Sequence, residues 1–254
     1  MRTIAIACQK GGVGKTSTCL AIGEALARRG SRVLYADLDA QGNLTYTLKG
    51  AADKGSVLAA IQRPDKTKDE VQEIEGGALL ASAPSLSGAD TFLTEIGKEY
   101  RLRESLEAVA ADYDYCLIDT PPALGILTVN ALTAAEAAIV PTQADMYSVA
   151  GIRQLGATVE AVRSYTNRSL SLMGLLLTRY NARAIIRKDI AELLETAAKE
   201  MGTRVFKTKI RECVALVEAQ AMRQSIFAYA PRSNAAKDYA ALTDEVLTIL
   251  NVKE

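Results

Sequence analysis

A short glycine-rich segment near the amino terminus, KGGVGKT at residues 10–16, constrains the fold more than any other part of the chain. It follows an apolar run at Thr3–Cys8 that is typical of a buried strand, and it precedes a helical pattern from Lys15 to Arg29. Glycines in such a turn let successive backbone N–H groups point at one place, at the positive end of the following helix. A strand, a glycine loop and a helix in this order favour an α/β protein that binds phosphate groups.

The end of this segment, Gly14-Lys15-Thr16, matches the general phosphate-loop pattern, while Gln9 stands where that pattern has its first glycine. The alternative is a structural turn, but the full pattern placed directly after a strand is rare by chance. Lys15 is expected to bridge the β- and γ-phosphates of a nucleotide, and the Thr16 hydroxyl to ligate Mg²⁺. The predicted nucleotide contacts in the loop are Gly11, Gly12, Val13, Gly14, Lys15, Thr16 and Ser17.

Carboxylates end two further predicted strands. Asp119 closes the apolar run Tyr115–Asp119, where it is predicted to reach the Mg²⁺ near Thr16, directly or through water. The alternative role for Asp119 is a helix N-cap. Asp37 and Asp39 follow the run that begins at Arg32, and their spacing places both on one face of an extended chain. One of this pair can orient an attacking water.

Short apolar runs alternate with helical patterns along the rest of the chain. This alternation predicts a single α/β domain over residues 1–254, with a doubly wound, mainly parallel sheet, helices on both faces, and a ligand at the carboxyl ends of the strands. The polar stretch Gly50–Gly77 is predicted to be a surface excursion. Further predicted strands are Ala78–Ala83, Ala137–Pro141, Leu172–Thr178 and Thr203–Phe206, and further predicted helices are Ser85–Ala111, Met146–Ser164, Ala184–Lys199 and Asn234–Leu250.

Composition limits the chemistry. The chain has no histidine, which removes the commonest general base and zinc ligand, and its four cysteines are scattered without a CxxC pair. No apolar stretch is long enough to cross a bilayer, and the amino terminus runs directly into the glycine loop, so we expect a cytoplasmic protein. The net charge is zero, yet residues 151–211 hold twelve Lys and Arg residues against five Asp and Glu residues, a local charge of +7.

Several segments together resemble the ParA/Soj/MinD family of deviant Walker A ATPases, and the short Soj-like ParA partition proteins most. They are KGGVGKT, DLDAQGN at 37–43, LIDTPPALGILTVNAL at 117–132, LLLTRYN at 175–181 and YAPRSNAAKDYAALTDEVL at 229–247. The resemblance therefore covers essentially the whole chain. This chain has Ala40 where the family usually has proline, and Lys209-Ile210-Arg211 where many relatives have a proline-containing IPR segment.

The resemblance implies roles for individual residues. Lys10 matches the signature lysine that reaches the nucleotide phosphates of a second subunit, so that ATP holds a homodimer together. Asp39 matches the water-positioning carboxylate, and Lys10, Lys15 and Asp39 form the implied catalytic set. Asp119 matches the Walker B residue and, with Thr16 and Asp39, makes the implied Mg²⁺ site. Thr178 and Asn181 fall in the region that contacts adenine.

The resemblance further implies a nucleoid-associated partition ATPase that hydrolyses ATP to ADP and phosphate. The ATP dimer would bind double-stranded DNA without sequence preference, and a ParB-like protein would stimulate hydrolysis. The +7 segment fits this interpretation, because Lys and Arg side chains bind phosphates without reading bases. The candidate DNA contacts are Arg183, Arg187, Lys188, Lys207, Lys209, Arg211 and Arg223.

Three alternatives remain open at this stage. A MinD-like or cargo-positioning ATPase of the same family would act on a membrane or a protein assembly, but residues 251–254 are too short for an amphipathic membrane helix, and we expect no membrane partner. An iron–sulfur reductase that shares the loop would need paired bridging cysteines, which the spacing does not provide. The third alternative is a regulatory binding module with negligible turnover.

Overall fold

The central element of the fold is a mixed β-sheet. The computed structural model describes residues 1–181 and 187–251, with all their side chains except those of residues 146–147 and 187–191. Within these ranges seven strands lie side by side in the order β3-β4-β2-β5-β1-β6-β7. The strands are β1 (Arg2–Ile6), β2 (Val33–Asp37), β3 (Gln72–Ile74), β4 (Gly77–Leu80), β5 (Tyr115–Asp119), β6 (Ala137–Thr142) and β7 (Ser171–Leu177). Only β3 is antiparallel to its neighbour.

Helices connect the strands. They are α1 (Lys15–Ala27), α2 (Asn43–Thr47), α3 (Val57–Gln62), α4 (Thr67–Glu70), α5 (Ala89–Phe92), α6 (Arg101–Ala108), α7 (Ile126–Ala134), α8 (Met146–Tyr165), α9 (Arg187–Glu200), α10 (Val214–Ala221), α11 (Ile226–Tyr229) and α12 (Asn234–Asn251). Short 3-10 turns cover Ala52–Lys54, Pro64–Lys66, Pro84–Gly88 and Lys98–Tyr100. No helix in the described ranges is long and apolar enough to span a bilayer.

The sheet separates two hydrophobic cores, because successive side chains of a strand point to opposite faces. Ala5 and Ala7 belong to the core that packs under α3, α6, α7 and α8. Ile4 and Ile6 belong to the other core, under α1 and α12. The predicted doubly wound sheet with helices on both faces is therefore confirmed.

Strand register brings the ends of β1, β2 and β5 together. Asp119 pairs with Ile6 on one side and with Asp37 on the other. The Thr120 hydroxyl donates to the carbonyl of Ile6 at 2.9 Å, which fixes the chain just beyond β5. The strands β2, β3 and β4 lie on one side of β5 and β1, and β6 and β7 lie on the other side. A ligand is expected at the carboxyl ends of the strands where the winding direction changes, which here are the ends of β1 and β5.

Three predictions about elements are wrong. Ser85–Ala111 is not one helix, because Gly97 adopts a left-handed φ of 83° and separates α5 from α6. Thr203–Phe206 is not a strand, since only Val205 forms a bridge, to Leu175. The stretch Gly50–Gly77 is not a mere surface excursion: it contains α3, α4 and β3, and Val57 and Ile61 are fully buried.

The other long elements agree with the sequence predictions to within two or three residues at each end. The first three residues of the predicted helix Ala184–Lys199 lie outside the described residues, and its described part is α9. The helices α2, α7, α10 and α11 and the strand β3 were not predicted. Most of these are short, and a few residues are not enough to show a periodic pattern.

Candidate nucleotide-binding site

The glycine loop joins β1 to α1, as the sequence predicts. Gly12 and Gly14 adopt left-handed φ values of 70° and 87°, which residues with a Cβ rarely adopt. Gly14 stands at the N-cap of α1, and its carbonyl accepts the first helical hydrogen bond, from the N–H of Thr18 at 2.9 Å. The remaining N–H groups of the first helical turn have no partner within the helix, so they are free to bind an anion.

Lys15 lies in the first turn of α1 and is 7% exposed. Its Nζ donates to the carbonyl of Lys10 at 3.2 Å, across the mouth of the loop. A buried ammonium group with a single carbonyl partner keeps donors available for a phosphate. The loop therefore places both its backbone dipoles and a lysine charge around one position.

Side chains from other elements hold the loop in place. Thr178, one residue beyond β7, donates its hydroxyl to the carbonyl of Val13 at 2.9 Å. Gln143, after β6, donates to the carbonyl of Gly12 at 3.2 Å, and Gln220 of α10 donates to the Ser17 hydroxyl at 2.8 Å. The loop is thus preorganised before any ligand arrives, which lowers the entropic cost of binding.

Thr16 and Asp119 meet at the base of the loop. The Thr16 hydroxyl donates to Oδ2 of Asp119 at 2.6 Å. The other oxygen, Oδ1, is buried and has no hydrogen-bond partner. Burial, followed by the charge of Asp37, raises the pKa of Asp119 well above its ordinary value. No N-cap bond involves Asp119, and α7 starts only at Ile126, so the capping alternative is excluded.

A buried carboxylate oxygen without a donor beside a threonine hydroxyl fits a hydrated Mg²⁺ ion. Among the described residues, no group of three or more His, Cys, Asp or Glu side chains could enclose a metal ion. A magnesium ion at this position would therefore depend on Thr16, on Asp119 and on oxygens from phosphate and water. When bound, the ion would neutralise phosphate charge.

Asp37 and Asp39 are not equivalent. Asp37 is fully buried and accepts hydrogen bonds from the backbone N–H and hydroxyl of Thr45 at 2.8 and 2.7 Å. Burial raises its pKa to about 6, and these hydrogen bonds oppose the shift. Asp39 lines the open cavity described below, so it is the one of the two that a ligand or a water can reach.

Lys10 lies at the start of the loop, and its Nζ forms an ion pair with Oδ2 of Asp145 at 2.6 Å. Asp145 is also the N-cap of α8, where its Oδ1 accepts from the N–H of Ser148 at 2.9 Å. Both side chains of the pair are about one-third exposed. The role of Lys10 towards a second subunit stays a prediction.

A cavity of about 860 Å³ opens directly above the loop. All seven predicted loop contacts line it, together with Asp39 and Thr178. Asn181 does not line it, although its neighbour Tyr180 pairs with the chain that leads to α10. This volume lies within the range of typical ligand pockets, and it is large enough for a nucleoside triphosphate.

Comparison with known proteins identifies the family. A model of the AAA domain family matches residues 1–172. The chromosome-partitioning ATPase Soj of Thermus thermophilus is 40% identical over 247 residues, which cover 97% of this chain and 96% of the relative. The sporulation initiation inhibitor protein Soj of Bacillus subtilis is 38% identical over 250 residues, with coverage of 96% and 98%. The chain belongs to the Soj/ParA family of partition ATPases.

A solved structure has the same fold. A Mycobacterium smegmatis protein named cobyrinic acid a,c-diamide synthase, crystallised with ADP and magnesium, superposes on this Soj/ParA chain with a TM-score of 0.85. The two are 32% identical, over 100% of this chain and 97% of the other. The ligands of that relative agree with the ATP and Mg²⁺ predicted from the sequence.

The sequence analysis did not identify some residues that line the cavity of this Soj/ParA chain. They include Tyr46 of α2, Val214 and Val217 of α10, and Cys213. Arg179 also lines the cavity. Its backbone adopts a left-handed φ of 46°. Tyr46, Cys213, Val214 and Val217 lie in or beside short elements far apart in the chain, and no local sequence pattern marks them. Arg179 falls within the LLLTRYN segment at 175–181.

The candidate DNA-binding residues fall into three groups. Arg183 lies outside the described residues, as do the side chains of Arg187 and Lys188. Arg211 and Arg223 are engaged within the protein: Arg211 pairs with Asp238 at 2.6 Å, and Arg223 donates to the carbonyl of Tyr46 at 2.7 Å and lies over its ring.

The remaining candidates are lysines. Lys207 is exposed, and Nζ of Lys209 lies 4.6 Å from the centre of the Tyr180 ring. A lysine stacked on a ring keeps its positive charge, so both lysines offer charge to a phosphate. Their contact with DNA stays a prediction.

Proposed function

We propose that this protein binds ATP with Mg²⁺ as a homodimer, binds DNA without sequence preference, and hydrolyses ATP when a ParB-like protein stimulates it. The observation that carries the proposal is the pairing of Thr16 with Asp119 at the base of the glycine loop, which leaves one buried carboxylate oxygen without a partner. An unpaired buried acceptor costs free energy unless a ligand satisfies it. The names of the Soj relatives supply the partition role.

Within this proposal, Lys15 and the loop N–H groups grip the β- and γ-phosphates. Thr16 and Asp119 hold the magnesium ion, and Asp39 at the cavity wall orients the attacking water. Lys10 exchanges its partner Asp145 for the phosphates of the second subunit. Two nucleotides then lie between the two protomers and hold them together. Their hydrolysis separates the protomers, and the DNA is released.

DNA binding would follow from the dimer, because two protomers double the number of basic side chains on one surface. Counterion release makes such binding strong at low salt and weak at high salt, with little dependence on sequence. The lysines Lys207 and Lys209 are the described residues best placed to contribute. Nucleoid association in the cell is the expected consequence.

The experiment that tests this function measures ATP turnover and DNA binding on the same preparation. Phosphate release is measured with and without DNA and the product of a neighbouring reading frame. A gel shift with ATP and with ADP, at several salt concentrations, measures DNA binding. The double variant Lys207→Ala/Lys209→Ala should weaken the ATP-dependent shift, while the control Lys54→Ala/Lys66→Ala, with the same change in charge, should not.

A MinD-like or cargo-positioning ATPase is the second candidate, and the same gel shift separates the two. ATP-dependent, salt-sensitive binding supports the partition role. Turnover without any DNA binding supports a protein assembly or a membrane as the target surface.

The name of the mycobacterial relative refers to an amide synthase, but nothing in this chain favours that chemistry. Cysteine nucleophiles are commonly activated by histidine, and the chain has none. Cys8, Cys19 and Cys116 are buried, and burial raises the pKa of each thiol. Cys213 lines the cavity and is partly exposed, but no histidine is available to activate it. We therefore assign no amide transfer to this site.

A further inference from the structure

The backbone of Asp39 is held from both sides by buried polar groups. Its N–H donates to Oδ1 of Asp37 at 3.2 Å. Its carbonyl accepts the hydroxyl proton of Ser82 at 2.5 Å, and also the N–H of Gly42 at 2.8 Å. Ser82 lies just beyond β4, 43 residues further along the chain, so the contact joins two separate parts of the fold.

Thr45 closes these contacts into a ring. Its N–H and its hydroxyl both donate to Oδ2 of Asp37, and its hydroxyl oxygen accepts the N–H of Ser82 at 2.8 Å. The ring therefore runs from the N–H of Asp39 through Asp37, Thr45 and Ser82 back to the carbonyl of Asp39.

The direction of every hydrogen bond in this ring is fixed. The one hydroxyl proton of Thr45 goes to Asp37, so its oxygen can only accept from Ser82. The one hydroxyl proton of Ser82 goes to the carbonyl of Asp39. A ring without a free rotor gives the Asp39 backbone a single orientation, and therefore restricts where its carboxylate can lie.

Burial makes the ring difficult to replace with water. Asp37 is 0% exposed, Ser82 is 4% exposed and Thr45 is 8% exposed. Neither Ser82 nor Thr45 lines the nucleotide cavity, whereas Asp39 does. Ser82 reaches the site through the backbone of Asp39. Thr45 reaches it through Asp37 and through its neighbours in α2, of which Tyr46 and Thr47 line the cavity.

We propose that Ser82 and Thr45 are positioning residues for hydrolysis, which set the place of the Asp39 carboxylate without contributing to nucleotide binding. The inference rests on the proposed function, because it assumes that Asp39 orients the attacking water. It goes beyond the family resemblance, which assigns no role to either hydroxyl. A misplaced catalytic group can cost a large factor in rate while binding stays intact.

The test separates the rate of the chemical step from nucleotide affinity. Ser82→Ala should lower kcat for ATP about tenfold, the effect of one lost hydrogen bond of about 1.4 kcal/mol, with the Kd for ATP within about twofold of the wild type. Ser87→Ala is the matched control, because its exposed hydroxyl contacts only the carbonyl of Pro84. It should leave both constants unchanged.

A second pair of variants covers the case in which Ser82→Ala fails to fold. Thr45→Val keeps the shape of the side chain but removes the hydroxyl, whereas Thr45→Ser keeps the hydroxyl. The valine variant should lose kcat at least about tenfold. The serine variant should recover most of the wild-type rate. A purely structural role would instead move the Kd for ATP and the melting temperature with kcat in both variants.

The outcomes distinguish this inference from the proposed function. If Asp39→Ala is inactive while Ser82→Ala and Thr45→Val turn over at the wild-type rate, the positioning role is wrong and the proposed function stands. If kcat and ATP affinity fall together, the ring supports the fold alone, and the inference is again overturned. If the wild type hydrolyses no ATP under any condition, both fail.

Discussion

The Thr16 hydroxyl donates to Oδ2 of Asp119 at 2.6 Å, and Oδ1 of the same carboxylate is buried without a donor. The contact joins the first turn of α1 to the end of β5, 103 residues apart in sequence. It brings together Thr16 and Asp119, two of the three residues to which the family resemblance assigns the magnesium ion; the third is Asp39. The burial of this carboxylate, and of Asp37 beside it, affects the stability of the protein.

Without a ligand, the buried carboxyl groups of Asp37 and Asp119 make the stability of the protein depend on pH. Burial raises the folded-state pKa of Asp37 to about 6 and that of Asp119 well above its ordinary value. The folded state then binds more protons than the unfolded state above pH 3.8, the ordinary pKa of an Asp side chain. The contribution of Asp37 to stability therefore falls as the pH rises from 3.8 through about 6. The contribution of Asp119 also falls as the pH rises above 3.8 and towards its raised pKa.

Asp119→Asn should remove much of this penalty, since a neutral amide needs no ionisation in the core. In magnesium-free buffer at pH 8, we expect the melting temperature to rise by at least about 2 °C, the shift that about 1 kcal/mol gives in a chain of this size. The same variant should lose the magnesium dependence of ATP binding. A lower melting temperature at pH 8 would contradict the assignment of a destabilising buried charge.

Asp39→Ala should separate binding from turnover. Asp39 is the carboxylate of the DLD segment that lines the cavity, so its loss should reduce ATP turnover at least about a hundredfold. The dimer should still form with ATP, because the phosphate contacts remain. Phosphate release and light scattering on one sample measure both quantities, with the exposed Asp65→Ala as the control. Turnover at the wild-type rate would show that another group orients the water.

Lys10→Ala should affect association more than nucleotide binding. Lys10 pairs with Asp145 within one protomer, and the family resemblance assigns its charge to the nucleotide of a second protomer. We expect ATP to bind the variant monomer with a Kd within about tenfold of the wild type, which is about 1.4 kcal/mol. ATP should no longer produce a dimer in analytical ultracentrifugation. Lys66→Ala, on an exposed turn, should dimerise normally.

Arg179→Gly tests the backbone strain at the cavity wall. Arg179 holds a left-handed φ of 46°, which costs a residue with a Cβ of the order of 1 kcal/mol. Glycine removes this cost, so the free energy of unfolding should rise or stay unchanged. Arg168→Gly, at an exposed position without a positive φ, should lose about 0.5–1 kcal/mol. Equal losses in both variants would show that the conformation of Arg179 carries no strain.

Much of the fold could be predicted because its main elements are long and have clear patterns. Each central strand is an apolar run covered on both faces, and the long helices α8 and α12 carry helical periodicity. The break between α5 and α6 could not be predicted from periodicity. It depends on the left-handed Gly97 and on Asp90, which accepts a hydrogen bond from the N–H of Ile126, in a distant helix.

The residues of the candidate site also fall into two groups: those that the sequence indicates and those that only the structure reveals. The loop residues 11–17 line the cavity and Asp119 lies beside Thr16, positions that local sequence patterns indicate. Asp145 and Ser82 could not be predicted, since each acts through a partner that only the folded sheet brings near it. A local sequence pattern thus identifies the loop and its lysine, whereas the groups that hold the loop and Asp39 in place depend on tertiary contacts.

The most direct test of the central claim is the affinity of the purified protein for ATP, measured by titration calorimetry with and without Mg²⁺. We predict that the wild type binds ATP, that removal of Mg²⁺ weakens binding by at least about tenfold, and that Lys15→Ala shows no measurable binding while Lys66→Ala binds as the wild type does. Equal affinity of the wild type and Lys15→Ala for ATP, or no effect of Mg²⁺ on the wild type, would contradict the account.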